Sequence, residues 1–244
     1  MKIFAQKIIA AGVGMLLLTG VPVYGSILYD NSTYDLYKSL NFNNGQAIGN
    51  QVVMGSGYTS AILSDFSFEI YSSLATPFAG LVNMQVLLYA NDGALTNGYN
   101  MPGSILYNSG PFALQPPSQW SGNSGASVGT VSFNSLLLYL PSSNFTLAVV
   151  VTGMTGTDAV GMELFNPATV GKNYDDYWMQ NPATGSWALM TNSTGPSAGP
   201  ADFGARFNGT GVPEPSTLGL SVVGASLLIG SFWLRRRQNQ SRQG

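Results

Sequence analysis

ILSDFSFEIY, Ile62 to Tyr71, decides how this chain must fold. Ile62, Phe66, Phe68 and Ile70 fall on one side of a two-residue repeat, and Leu63, Asp65, Ser67 and Glu69 fall on the other. Alternation with β-branched and aromatic residues marks a half-buried strand, because successive side chains of a strand point to opposite faces. The same period recurs nearby. Val82, Met84, Val86 and Leu88 alternate with Asn83, Gln85, Leu87 and Tyr89, and Ala201, Phe203, Ala205 and Phe207 alternate with Asp202, Gly204 and Arg206. FTLAVVV, Phe145 to Val151, is apolar throughout and reads as a strand covered on both faces.

Turn clusters separate these runs: NFNNG, ANDG, TNGYNMPG, SGNSGAS and NSTGPSAGP. No stretch before the C-terminal tail sustains a helical stripe, and SLLLYL, Ser135 to Leu140, is the one ambiguous run. Nine or ten short strands are expected, which predicts an all-β, antiparallel β-sandwich of jelly-roll type. SILYDN at Ser26–Asn31 returns as SILYNS at Ser104–Ser109, which reads as two similar strands within one sandwich.

The two ends have a different character. Residues 1–25 place Lys2 and Lys7 before an apolar run from Ile8 to Leu18, then Gly20, Pro22 and small residues, the layout of a secretory signal peptide cut after Gly25. Residues 217–234 carry no charge and are followed by Arg235, Arg236 and Arg237. Eighteen helical residues at about 1.5 Å each reach roughly 27 Å, close to a hydrocarbon core, and the arginines hold their end in the cytoplasm. The expected order is therefore signal peptide 1–25, extracytoplasmic β-domain 26–207, linker 208–216, transmembrane helix 217–234 and basic tail 235–244.

Composition excludes several chemistries. Between Ser26 and Gly211 three cations (Lys38, Lys172, Arg206) stand against ten acids, a net charge of about −7, which repels nucleic acid. The chain has no cysteine, so an exported domain must be held by its core rather than by disulfides. It has no histidine either, which removes Ser-His and Cys-His nucleophile pairs and imidazole or thiolate zinc sites. A carboxylate-pair hydrolase would have to use Glu69 and Glu163, the only glutamates of this segment, yet Glu69 lies on the polar face of its strand. No enzymatic activity is expected.

Two binding chemistries remain open. Calcium takes oxygen ligands, for which YDN at Tyr29–Asn31 with Asp35, Asp92 in ANDG, and Asp175 and Asp176 in YDDYW are the candidates; none has the spacing of a dedicated calcium loop, and ANDG is equally a hairpin turn. Trp120, Trp178 and Trp187 lie in or beside polar stretches and are the candidate platforms for stacking on a sugar, against the alternative that they belong to the core.

Val212-Pro213-Glu214-Pro215, the apolar run to Leu234 and Arg235–Arg237 together resemble the PEP-CTERM sorting signal of Gram-negative bacteria. Both prolines keep the tetrapeptide extended, so Glu214 is presented in a form a protease can grip. The resemblance implies recognition by an exosortase, a membrane cysteine protease or transpeptidase. It also implies removal of the helix and delivery to the outer surface or the exopolysaccharide matrix. LLYANDG (Leu87–Gly93), MPGSILYNSG (Met101–Gly110) and Tyr177-Trp178 make the body similar to the choice-of-anchor β-domains, which carry no assigned activity. The expected function is thus a non-enzymatic surface or matrix component, with a lectin-like, calcium-assisted carbohydrate-binding module as the alternative.

Overall fold

The computed structural model describes residues 25–74, 76–121, 127–191 and 199–213. Sixteen strands form there: β1 Ser26–Asn31, β2 Asp35–Asn41, β3 Ala47–Val53, β4 Tyr58–Ser72 and β5 Asn83–Ala90. Five short ones follow or precede the next turn clusters: β6 Leu95–Thr96, β7 Tyr99–Asn100, β8 Ile105–Asn108, β9 Phe112–Ala113 and β10 Ser127–Phe133. The last are β11 Leu138–Leu140, β12 Asn144–Thr152, β13 Gly161–Phe165, β14 Lys172–Gln180, β15 Trp187–Met190 and β16 Ala205–Pro213. The count exceeds the expected nine or ten because several are two- to four-residue pieces that patch a longer neighbour. The ambiguous run around Leu138 is a strand.

Two seven-stranded sheets carry the body, in the orders β1-β16-β4-β13-β2, with β10 and β11 on β4, and β15-β14-β3-β12-β5-β8, with β9 on β5. Every ladder in them is antiparallel. One core of buried side chains draws on both sheets, the layout of a β-sandwich. At its centre Phe207 stacks on Phe66 with ring centroids 5.2 Å apart, and Phe145 from the opposite sheet meets Phe207 edge-on at 5.0 Å. Burying each such ring contributes about 2–3 kcal/mol. As the sequence leads one to expect, Phe145, Leu147, Val149 and Val151 are fully buried, with Thr146 and Ala148 equally enclosed on the reverse face.

The decisive strand differs from its reading at one end. Leu63 is fully buried and Ile62 is 41% exposed, the reverse of the expected faces. Asn208 pairs with Asp65 but Gly209 pairs with Leu63, so Ser64 is an extra residue in β4. A bulge of one residue exchanges the faces on either side of it. Phe66, Phe68 and Ile70 keep the expected face and Ala61 and Leu63 take it over.

The expected linker is also shorter. Residues 208–213 are strand, paired with β4 as far as Pro213 opposite Tyr58. Glycines permit this close approach: a Cβ at Gly209 would come within 2.3 Å of the Ile62 carbonyl and one at Gly211 within 2.1 Å of the Tyr58 ring. The last strand thus runs past Phe207 to Pro213. The expected signal peptide up to Tyr24, Glu214 and Pro215 of the expected sorting motif, the expected helix 217–234 and Arg235–Arg237 lie outside the described residues. Among the described residues no helix is long and apolar enough to cross a membrane.

Candidate functional site

The most unusual chemistry lies where residues 199–204 cross from one sheet to the other. This strap is tied to the first sheet it meets by the Ala201 N–H, which donates to the Asp175 carbonyl at 3.0 Å. It is tied to the second by Phe165 N–H to Asp202 O and Gly204 N–H to Glu163 O, each 2.9 Å. Two asparagines clasp it from opposite sheets. Asn31 Nδ2 donates to Phe165 O at 2.8 Å and Phe203 O at 3.1 Å. Asn50 Nδ2 donates to Ala201 O at 3.4 Å and Tyr174 O at 3.5 Å.

Asp202 sits between these two clasps and is 0% exposed. Period two places it on a solvated face; instead, the strap turns its side chain inward because a crossing segment has no second sheet face to offer. Both carboxylate oxygens lack hydrogen-bond partners, as do Asn31 Oδ1, Asn50 Oδ1 and the Tyr29 hydroxyl. Burial, and then the charge of Asp175, push the Asp202 carboxyl up to about 8, against the pull of the nearby Asn50 amide, with Asp176 adding to the rise. Burial likewise drives the Tyr29 phenol far up, with the charges of Asp202 and Asp30 contributing.

A second acidic group lies on the outward side of the sheet that contains β4. Met162 pairs with Ile70, and at the next position Gly204 lies between Glu163 and Glu69, its N–H donating to Glu163 O and its carbonyl accepting from Glu69 N–H, while Phe165 pairs with Asp35. Glu163 is 5% exposed and its Oε2 has no partner. Its carboxyl is pushed up to about 7 by burial first, then by Asp35 and Glu69. The fold therefore brings together the only two glutamates of the body, which sequence spacing gave no reason to pair. Glu69 is half-buried rather than freely solvated, and its carboxyl is raised by burial and by Asp35.

The aromatic candidates separate. Trp178 is 1% exposed, so its ring offers no free face for stacking; it pairs with Gly49 and so lies on the outward side of its sheet, the side that carries Leu87, Tyr89 and Ala148. Trp187, on the edge strand β15, packs edge-on against Tyr89 at 5.4 Å. Trp120 lies over Gly129, where a Cβ would come within 2.8 Å of the indole, and meets Phe78 edge-on at 6.0 Å. Gln115, Gln119 and Trp120 line a shallow groove of about 250 Å³.

The acidic candidates are equally distinct. Asp92 is a turn residue: the Ser104 hydroxyl first, and then the Ser104 N–H that donates to its Oδ1 at 2.8 Å, hold its carboxyl below the usual range. Asp175 and Asp176 lie in a bulge of β14, since Asn173 pairs with Val52 and Tyr177 with Asn50. Tyr99 packs on Tyr174 at 4.9 Å, and its phenol is pushed up to about 12 by burial and then by Asp176. Among the described residues no three acidic side chains are grouped to hold a metal. Of the sorting motif, Val212 and Pro213 are paired in β16, with the Val212 carbonyl accepting from Thr59 Oγ1 at 3.4 Å. Compared with known protein families and with curated proteins, the chain matches none.

Proposed function

We propose that the chain is a non-enzymatic surface or exopolysaccharide-matrix protein, a jelly-roll-like sandwich exported behind a signal peptide and sorted through a PEP-CTERM signal. The observation that carries this reading is an order: Val212-Pro213-Glu214-Pro215, then eighteen uncharged residues, then Arg235–Arg237. The helix is a temporary anchor in the inner membrane of a Gram-negative cell, and an exosortase-type protease is the partner that removes it. The ladder to Pro213 supports this, since it holds Val212 and Pro213, the first half of the motif, in extended backbone. The absence of histidine and cysteine supports a structural rather than a hydrolytic role.

Intact mass of the protein from membrane and surface fractions tests the reading. The expected surface form begins at Ser26 and lacks the apolar helix and arginines, and Glu214→Ala holds the chain in the membrane fraction. A surface form that retains residues 217–244 would end the sorting proposal. A lectin-like second reading is favoured by the groove at Trp120, flanked by Gln115 and Gln119, which pairs an aromatic ring with amides. A glycan array with Trp120→Ala as control decides it.

A further inference from the structure

The strap over Asp202 leaves five buried oxygens with no partner: Tyr29 Oη, Asn31 Oδ1, Asn50 Oδ1 and both oxygens of Asp202. Their side chains are each 0–1% exposed. Buried polar atoms are ordinarily satisfied, and an unpaired one costs about 1–3 kcal/mol, so five in one place need a common explanation.

Donors within the group are few: the Asn50 amide leans toward Asp202 and the Asn31 amide toward Tyr29, but each is already engaged by backbone carbonyls. Both amide hydrogens of Asn31 are used on Phe165 O and Phe203 O, and those of Asn50 on Tyr174 O and Ala201 O. These contacts fix which end of each amide is oxygen. Only the Tyr29 O–H remains, one donor against the excess of acceptors. Protein cations do not help. Lys38 and Lys172 are exposed, Arg206 is paired with Asp30 at 3.7 Å, and the charges acting on Asp202 are those of Asp175 and Asp176. The neighbourhood is therefore negative, rich in oxygen and short of protons.

We propose that the strap closes over a hard-cation site of the calcium class, with the Asp202 carboxylate, the Asn31 and Asn50 side-chain oxygens and the Tyr29 hydroxyl as ligands. Calcium accepts such mixed carboxylate, amide and neutral oxygen sets in flexible geometry. Magnesium demands an octahedron and keeps its water, and zinc wants nitrogen or sulfur, so neither fits as well. With one carboxylate in contact, and Asp175 and Asp176 adding field from the adjoining bulge, affinity falls in the range of about 10⁻⁴–10⁻³ M found for extracellular modules. The ion would bridge β1, β3 and the strap, adding to the Asn31 and Asn50 clasps that already fasten the strap to both sheets.

The test uses the full-length chain in detergent after chelator treatment. Millimolar calcium chloride is expected to raise the melting temperature, magnesium chloride to do so less. Terbium chloride should give luminescence sensitised by Tyr29, with a stoichiometry of one per chain. Asp202→Asn, which keeps the shape, should abolish the calcium shift and the terbium signal. Asn50→Asp, adding a charge, should lower half-saturating calcium about tenfold. Wild type that shows no calcium shift and no terbium binding overturns the proposal, even if a variant fails to fold. So does an Asp202→Asn protein that melts higher than wild type and responds to calcium as wild type does, the result for a carboxyl held simply as a neutral acid.

Discussion

Removing the charge at Glu163 should flatten the pH dependence of stability. Glu163 is 5% exposed and shares its surroundings with Asp35 and Glu69. Its carboxyl is raised from 4.5 in the unfolded chain to about 7 when folded. The folded state thus holds the proton longer, so stability is whole below the unfolded value and falls as pH rises through 7. A shift of this size is worth about 3 kcal/mol in total, of which about 2.5 kcal/mol is lost between roughly pH 5 and 8. Glu163→Gln imitates the protonated acid at every pH. Urea unfolding of both proteins at the two pH values isolates the residue from Asp202, which also titrates in this range. Wild type relative to the variant should lose about 2.5 kcal/mol on going to the higher pH, a midpoint change of roughly 1 M urea. Curves that move in parallel, or a wild type that gains on the variant as pH rises, would show that Glu163 is not a neutral acid in the folded sandwich.

Other substitutions probe the packing and the candidate platforms. Phe66→Ala removes a ring stacked between Phe133 at 4.7 Å and Phe207 at 5.2 Å and should cost about 3–5 kcal/mol by chemical denaturation. Gly129→Val drives a side chain into the Trp120 indole and should cost about 1–3 kcal/mol, with a changed near-ultraviolet dichroism spectrum. Trp178→Ala should destabilise by about 3–5 kcal/mol without touching any sugar binding, whereas loss of glycan binding confined to that variant would contradict its burial.

What could be read in advance was what depends on local period. The alternation in β5 and β16 and the apolar run of β12 specified their faces, because burial on a sheet is decided residue by residue. The bulge at Ser64 could not be read, since Ile62-Leu63 and Ser64-Asp65 offer one apolar and one polar residue to each face alike, and only the pairing with Asn208 and Gly209 reveals the extra residue. The glutamate pair was hidden for a similar reason. Glu69 and Glu163 are far apart in the chain, and only the placement of β13 beside β4 joins them. Trp178 misled because Asp175 and Asp176 precede it, and the bulge that takes those aspartates out of the ladder ends before the tryptophan, which is paired and buried.

Asp202 shows most clearly where pattern stops being informative. In PADFGARF it takes the polar turn of an alternating run, and Phe203, Ala205 and Phe207 do face the core as that run requires. Alternation says only that Asp202 points away from Phe203. For a strand within a sheet that direction is solvent; for a strap between two sheets it is another interior. The carbonyls of Ala201 and Phe203, held by Asn50 and Asn31, fix the strap in that crossing. A buried carboxylate cannot remain charged and unpaired, because the desolvation penalty is several kcal/mol. It must be neutralised by a proton or by an ion. Four acceptors beside the one free hydroxyl, Tyr29, favour the ion, since one cation satisfies several oxygens at once where one proton satisfies two.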